Sequence, residues 1–422
     1  MQNQFPVDFC RLISSKIEAR GLTSRFLDSH KKPLALSCLK IIAMGKSGLA
    51  MLQGLDEHLS CQADFLAVVP EHKKISFKNL TGKILEAKHP IPDATSFAAG
   101  KAVADYIASL DHRSNLLVLI SGGTSSLVAL PCSGLSNEEK AECHRKLIYS
   151  GLPISDINSV RRKISAIKGG KLLYEALNKC CSIRLMAISD VDSGLFHDIG
   201  SGPFSPDPEP VETALQIAER VKNFPQKALN ILDLQSEVFD HQRFLEDFQD
   251  FSERYHAELI FSQRMAEELV LNEFAKIRVS AAKTSVEKLH KIFANPASTE
   301  YEPDKWLVAC GENEIKLPEY ADIGIGGRAS HNLLQAAISL ARSGVEFELA
   351  ILATDGKDGN SGRAGGYITS ELIDSDMLDE MAHALKAYDS SSFLFKKNLA
   401  FSGFCSETNV GDIYLFRRKV RQ

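Results

Sequence analysis

Short, almost wholly apolar runs recur along the chain, and each ends in a polar turn. Leu39–Met44 leads into Gly45-Lys46-Ser47-Gly48, and residues 115–120 lead into Ser121-Gly122-Gly123-Thr124-Ser125-Ser126. Residues 183–188 lead into Ser189-Asp190-Val191, and Phe347–Ala353 into Thr354-Asp355-Gly356. Runs of this length predict strands buried on both faces, as in a parallel sheet covered by helices. Residues 95–110 and 210–221 carry helical periodicity between them. The alternation predicts an α/β fold, with the turns gathered at the carboxyl edge of a sheet, where such folds bind ligands. The stretch from about 235 to 300 reads differently: residues 239–255 are charged with few turn signals, and residues 263–293 read as a long helix or two. A boundary near 235 gives a larger Rossmann-like N-terminal domain over 1–235 and a C-terminal domain over 236–422, whose sheet signals cluster after Trp306. Each domain is expected to be a largely parallel sheet flanked by helices.

Length and charge narrow the partners. At 422 residues the chain is too long for one compact core. Its 49 Lys and Arg against 54 Asp and Glu leave a net charge of −5, which demotes nucleic acid as a main partner but permits a local cleft for a small anion. The nine cysteines form no C-x-x-C pair, so free thiols are expected rather than a zinc ribbon or redox motif. No basic start followed by an apolar stretch marks the N-terminus, and no apolar run approaches the roughly twenty residues that span a bilayer. A cytoplasmic protein with no membrane partner is expected.

Four turns carry candidate chemistry. Gly45-Lys46-Ser47 is not a Walker A loop, because Lys40 stands where that pattern needs its first glycine. What remains is a lysine at a strand-to-helix turn, where backbone N–H groups favour an anion, or a plain surface lysine. At the second turn, Gly122 and Gly123 would let backbone approach an anion while Ser121 and Ser125 add hydroxyls; an ordinary capped connection fits equally well. Asp190 and Asp355 offer carboxylates of the kind Mg²⁺ takes together with substrate phosphates, or caps for the next turn. Arg328, after Gly326-Gly327, could grip a carboxylate or phosphate through paired hydrogen bonds, or be solvated. Together these residues converge on a Mg²⁺-nucleotide and a small acidic substrate.

Longer motifs carry a resemblance. Residues 157–172, Ile-Asn-Ser-Val-Arg-Arg-Lys-Ile-Ser-Ala-Ile-Lys-Gly-Gly-Lys-Leu, closely resemble a segment of the class II glycerate 2-kinases. So do His89-Pro90-Ile91-Pro92-Asp93, Ser189-Asp190-Val191 with Ser201-Gly202-Pro203-Phe204-Ser205-Pro206-Asp207-Pro208, and, like that family's MOFRL domain (here about 306–415), Gly311-Glu312, Gly326-Gly327-Arg328, Thr354-Asp355-Gly356 and Thr408-Asn409. The resemblance implies a two-domain kinase that uses ATP and Mg²⁺ to phosphorylate the 2-hydroxyl of D-glycerate in a cleft between its domains, as a monomer or homodimer. It implies Lys46, Asp190 and Arg328 as catalytic residues, Asp355 and Asp190 at the metal, and Arg161, Lys168, Glu312 and Asn409 beside the second turn as substrate or nucleotide contacts. Relatives are often labelled hydroxypyruvate reductases, yet no G-x-G-x-x-G fingerprint follows a strand here. The sequence departs from the family at residues 192–196, at Ala329-Ser330-His331 and at Glu407. These departures motivate a second reading, a relative that binds a nucleotide or hydroxy acid without turnover.

Overall fold

The structure, a computed structural model, describes residues 5–29, 37–72, 75–191, 194–235, 245–246, 248–249, 252–296, 302–313, 315 and 323–419. Its contacts divide the chain into two compact units. The first is Ala19–Ile260; the second combines Met1–Glu18 with Phe261–Gln422. The division therefore falls later than the expected boundary near 235, and the chain begins in the second unit. The reason is packing: Phe9 stacks on Phe274 with ring centroids 4.3 Å apart, and Lys16 pairs with Glu273 at 3.4 Å, so helix Phe5–Lys16 belongs with the late part of the chain.

The first unit is built on β1 (Leu39–Met44), β2 (Ala63–Val69), β3 (Leu80–Glu86), β4 (Asn115–Ser121), β5 (Ser182–Ile188) and β6 (Tyr255–Phe261), in the order β3-β2-β1-β4-β5-β6. The β3-β2, β2-β1, β1-β4 and β4-β5 pairs are all parallel. All seven residues of β4 are buried, whereas edge strand β3 buries only Leu80, which matches the continuous apolar run of the one and the mixed sequence of the other. Each fully buried aliphatic side chain here contributes about 1.5–3 kcal/mol relative to exposure. Strand order reverses between β1 and β4, so their carboxyl ends form a topological switch point.

In the second unit the sheet comprises β7 (Ala281–Lys283), β8 (Trp306–Gly311), β9 (Phe347–Ala353), β10 (Arg363–Thr369), β11 (Ala400–Ser402) and β12 (Asp412–Arg418), in the order β11-β10-β9-β12-β8-β7. Here the expectation of a largely parallel sheet gives way to a mixed one. β7 and β8 are parallel, but β9-β10, β10-β11, β12-β8 and β12-β9 are antiparallel. The loop 354–362 returns the chain from β9 to β10 as an antiparallel pair, and the last strand inserts antiparallel between β8 and β9. Residues 263–293 hold two helices, Gln263–Lys276 and Val286–Ala294, with β7 between them. Most of residues 239–255 lie outside the described residues. Among those described, no helix is long and apolar enough to cross a membrane. All nine cysteines are free, five of them buried.

Candidate active site

At the switch point the turns after β1 and β4 are stitched together. The N–H of Lys46 donates to Gly122 O at 2.9 Å, and the N–H of Ser47 to Ser121 Oγ at 2.9 Å. These bonds use two of the N–H groups expected to favour an anion at the first turn. The stitch also explains Gly45, which has φ +111° and whose Cβ, were there one, would lie 2.6 Å from Ser121 O. Ser121 is thus a buried fastener. A ligand at the first turn would meet the Lys46 side chain instead, whose ammonium makes no ion pair among the described residues.

Three side chains converge on the two glycines of the second turn. A Cβ on Gly122 would lie 2.5 Å from Asp190 Cγ. One on Gly123, at φ +85°, would meet Lys46 Cγ at 3.2 Å and His89 Cδ2 at 3.3 Å. Lys46, Gly123, Ser125 and Asp190 are all half-buried, and His89 is exposed. The turn continues into helix Thr124–Leu127, whose first N–H groups have no acceptor within the helix. The site is therefore wet, half-enclosed and lined by one lysine, one carboxylate, one imidazole and a hydroxyl. His89 is held down to about 4 by the crowding of its neighbours and by Lys46 and Arg161.

Behind this turn lies a second shell of cations. Helix Ile154–Lys163 buries Arg161, whose Nη1 donates to Asn158 Oδ1 at 3.4 Å and Nη2 to His144 Nε2 at 3.0 Å. His144 Nε2 also lies 3.1 Å from Pro90 O, so this ring nitrogen sits between a guanidinium, which can only donate, and a carbonyl, which can only accept. Burial, then Arg161 and Lys140, hold this histidine well below its ordinary value. Asn158 Oδ1 also accepts from Ser201 Oγ at 3.0 Å, and Ser201 meets Ser125 Oγ at 2.9 Å, which links Arg161 to the glycine turn. Lys168, expected to contact a ligand, has a different task. It is buried and donates to Val128 O at 3.1 Å and Gly200 O at 3.2 Å, fixing the far end of the turn. Burial, then Lys140 and Arg161, push it well below the usual lysine range.

The remaining expected residues lie in the second unit. Arg328 opens helix Arg328–Arg342 and forms a two-pronged pair with Glu312, Nη1 to Oε2 at 2.6 Å and Nη2 to Oε1 at 2.7 Å. Its Nε lies 3.6 Å from Asp412 Oδ2, so its fork is occupied by protein carboxylates. Asp412 is buried, and desolvation raises it to about 8, against the pull of Arg328 and with the help of Glu312, Asp358 and Asp355. Asp358 caps the helix, accepting from the N–H of Ala329 at 2.9 Å and of Ser330 at 3.0 Å. Asp355 accepts from the N–H of Lys357 at 2.9 Å. Asn409 is half-buried, and its Oδ1 accepts a long bond from Gly411 N at 3.5 Å. Of the departures, His331 stacks on Tyr388 with centroids 5.3 Å apart, and Glu407 is raised by burial and by Glu18. Asp192 and Ser193 lie outside the described residues, and Asp198 pairs with Arg162 at 3.6 Å.

His89, His144, Asn158, Ser201 and Asp412 were not singled out by sequence. His89 stood inside a quoted motif. Lys140 and His144 lie with Cys143 and Leu147 on the buried face of helix Asn137–Ile148, at i, i+3, i+4 and i+7, and two ionisable groups on an apolar face were the signal there.

The chain is similar to known proteins over most of its length. A family model described as a domain of unknown function, DUF4147, matches residues 10–233, and the MOFRL family model matches residues 305–412. A glycerate 2-kinase from Pyrococcus horikoshii is 30% identical over 393 residues, covering 89% of this chain and 86% of its own. A chain from Agrobacterium vitis that carries a hydroxypyruvate reductase name is 30% identical over 400 residues, covering 88% and 97%. A crystal structure of a glycerate kinase from Thermotoga maritima shares the fold with a TM-score of 0.78 at 23% identity, covering 98% of this chain and 99% of that one.

Proposed function

We propose, from the premise that this chain belongs to the class II glycerate 2-kinase family, that it transfers the γ-phosphoryl group of ATP to the 2-hydroxyl of D-glycerate. The observation that carries the reading is the convergence of Lys46, Asp190 and His89 on the Gly122–Gly123 turn at a sheet's switch point. Phosphoryl transfer needs mainly positioning and charge neutralisation, since the migrating group requires little covalent help. Lys46, which has no ion-paired carboxylate among the described residues, meets the charge that grows on the phosphoryl oxygens. Gly122 and Gly123 let that group approach backbone, with Ser125 as an adjacent donor. Asp190 orients the acceptor hydroxyl and takes its proton as the new P–O bond forms, while the bond to the leaving ADP breaks.

A reductase receives no support from the first strand-to-helix turn. Gly45-Lys46-Ser47-Gly48 lacks the glycine spacing of a dinucleotide fingerprint, and its N–H groups are committed to the neighbouring turn. As for Mg²⁺, no group of three or more His, Cys, Asp or Glu side chains among the described residues could hold a metal. That suits an ion held by one or two carboxylates together with phosphate oxygens and water. Asp190, beside the glycine turn, would hold it, and when bound it supplies further neutralisation of phosphate charge. Glu312 keeps Arg328 in place, and Asn409 stands as a nucleotide contact, in a protein expected to work in the cytoplasm as a monomer or homodimer.

The test is a coupled assay with ATP, Mg²⁺ and D-glycerate. ADP formation dependent on D-glycerate supports the reading. Binding of D-glycerate with no ADP formed, across a panel of hydroxy acids, would replace it with the non-catalytic relative motivated by Ala329-Ser330-His331 and Glu407.

A further inference from the structure

Arg161 and its two neighbours on one helix turn are treated in opposite ways. Arg162 pairs with Asp207 at 2.8 Å, Glu209 at 3.0 Å and Asp198 at 3.6 Å, and Lys163 with Asp207 at 2.8 Å. Arg161 is only 7% exposed, yet it makes no ion pair among the described residues, and its Nε has no hydrogen-bond partner. Of its five N–H donors, one bonds Asn158 Oδ1 and another lies against His144 Nε2, which also faces Pro90 O. Lys140 and Lys168 are buried nearby and spend their ammonium groups on backbone carbonyls, so among the described residues none of these three cations is paired with a carboxylate. A buried, uncompensated guanidinium is costly unless a ligand brings the missing charge.

We propose that Arg161, with His89 beside it, binds the carboxylate of the hydroxy-acid acceptor, leaving Lys46 for the phosphoryl group. The inference rests on the kinase reading for the identity of that acid. Arg161 is pinned by Asn158 and His144, so its planar fork is pre-oriented, and a planar carboxylate accepts two parallel N–H bonds from such a fork. Through Asn158, Ser201 and Ser125 the same network reaches the glycine turn, which sets the carboxylate and the reacting hydroxyl at a fixed separation. His89 is exposed, lies against Gly123 and keeps its imidazole neutral, so it offers one donor and one acceptor without adding charge. His144 and Asn158 are positioning residues.

Steady-state kinetics and calorimetry on the full chain test this, with D-glycerate and glycerol as acceptors and Arg161→Gln and His89→Asn as variants. The expected result is a KM for D-glycerate raised about a hundredfold by Arg161→Gln and about tenfold by His89→Asn, with the KM for ATP changed by less than about threefold, and glycerol unused. A rise in the KM for ATP instead, an equal rise in both, or no change in either overturns the proposal. Should Arg161→Gln fail to show a cooperative thermal transition, His89→Asn and the acceptor pair decide: glycerol accepted within about threefold of D-glycerate sinks the idea. If no acceptor is phosphorylated, the kinase reading fails by itself. Calorimetry then judges the subsite, which survives only if wild-type protein binds D-glycerate and His89→Asn weakens it.

Discussion

Arg161 and Arg328 sit in opposite electrostatic settings. Around Arg161 the first unit gathers Lys140, His144 and Lys168 with no ion-paired carboxylate among the described residues. Around Arg328 the second unit gathers Glu312, Asp355, Asp358 and Asp412 about a single guanidinium. Among the described residues no carboxylate pairs with Arg161, Lys140 or Lys168, whereas the second group has more carboxylates than its arginine can balance. The first group would suit the anionic carboxylate proposed to bind Arg161. In the second, protein carboxylates already hold the arginine, and one of them carries its proton at neutral pH because burial and its neighbours disfavour a further charge. An arginine in a motif therefore says little about ligand binding until its carboxylate partners are counted.

The sharpest test of that contrast is Arg162→Gln. If paired and unpaired cations differ as described, it removes partners from buried Asp207 and costs about 3 kcal/mol or more of stability, read from the urea midpoint. A loss below about 1 kcal/mol would erase the distinction drawn on that helix. Next is Lys46→Ala, expected to lower kcat on the order of a hundredfold, or about 2.7 kcal/mol, with an unchanged melting temperature. A lowered melting temperature with undiminished kcat would return Lys46 to a structural role.

A third effect follows from Asp412. Its folded value near 8 lies above the ordinary carboxylate value, so between about pH 4 and 8 the folded state holds a proton that the unfolded state has lost. Stability contributed by that proton is complete below about pH 4 and falls as pH rises toward 8. Asp412→Asn should therefore gain on wild type as pH rises, by about 2 kcal/mol between pH 5 and 7, in parallel denaturant titrations. A constant difference across that range would mean that Asp412 is ionised. The smallest expected change is Gly122→Ala, whose added methyl displaces the Asp190 carboxylate and lowers kcat about tenfold while sparing the KM for ATP.

Much of the first unit was legible because its strands are buried on both faces and end in glycine turns. β1 and β9 match the apolar runs residue for residue, and β4 and β5 match to within a residue. The second sheet's direction was hidden, since an apolar run reads the same whether its neighbour is parallel or antiparallel. Lys46, Asp190 and the glycine pair were visible as turn residues after strands. The pairing of Arg328 with Glu312, and the lack of any such pairing at Arg161, were not, because neither follows from spacing along the chain. Lys168 shows the same gap: its motif marks it, but only tertiary structure shows that it binds carbonyl oxygens.

The placement of helix Phe5–Lys16 has a consequence for how the molecule is made. A ribosome releases this helix before the first unit, yet Phe274 and Glu273, against which it packs, emerge only after the whole of Ala19–Ile260. The first unit is in effect an insertion, and its residues can close over their own core while the leading helix still has no partner. Phe9, Cys10 and Ile13, buried in the finished protein, stay without their partners while the whole first unit is made, so residues translated before that unit settle after it.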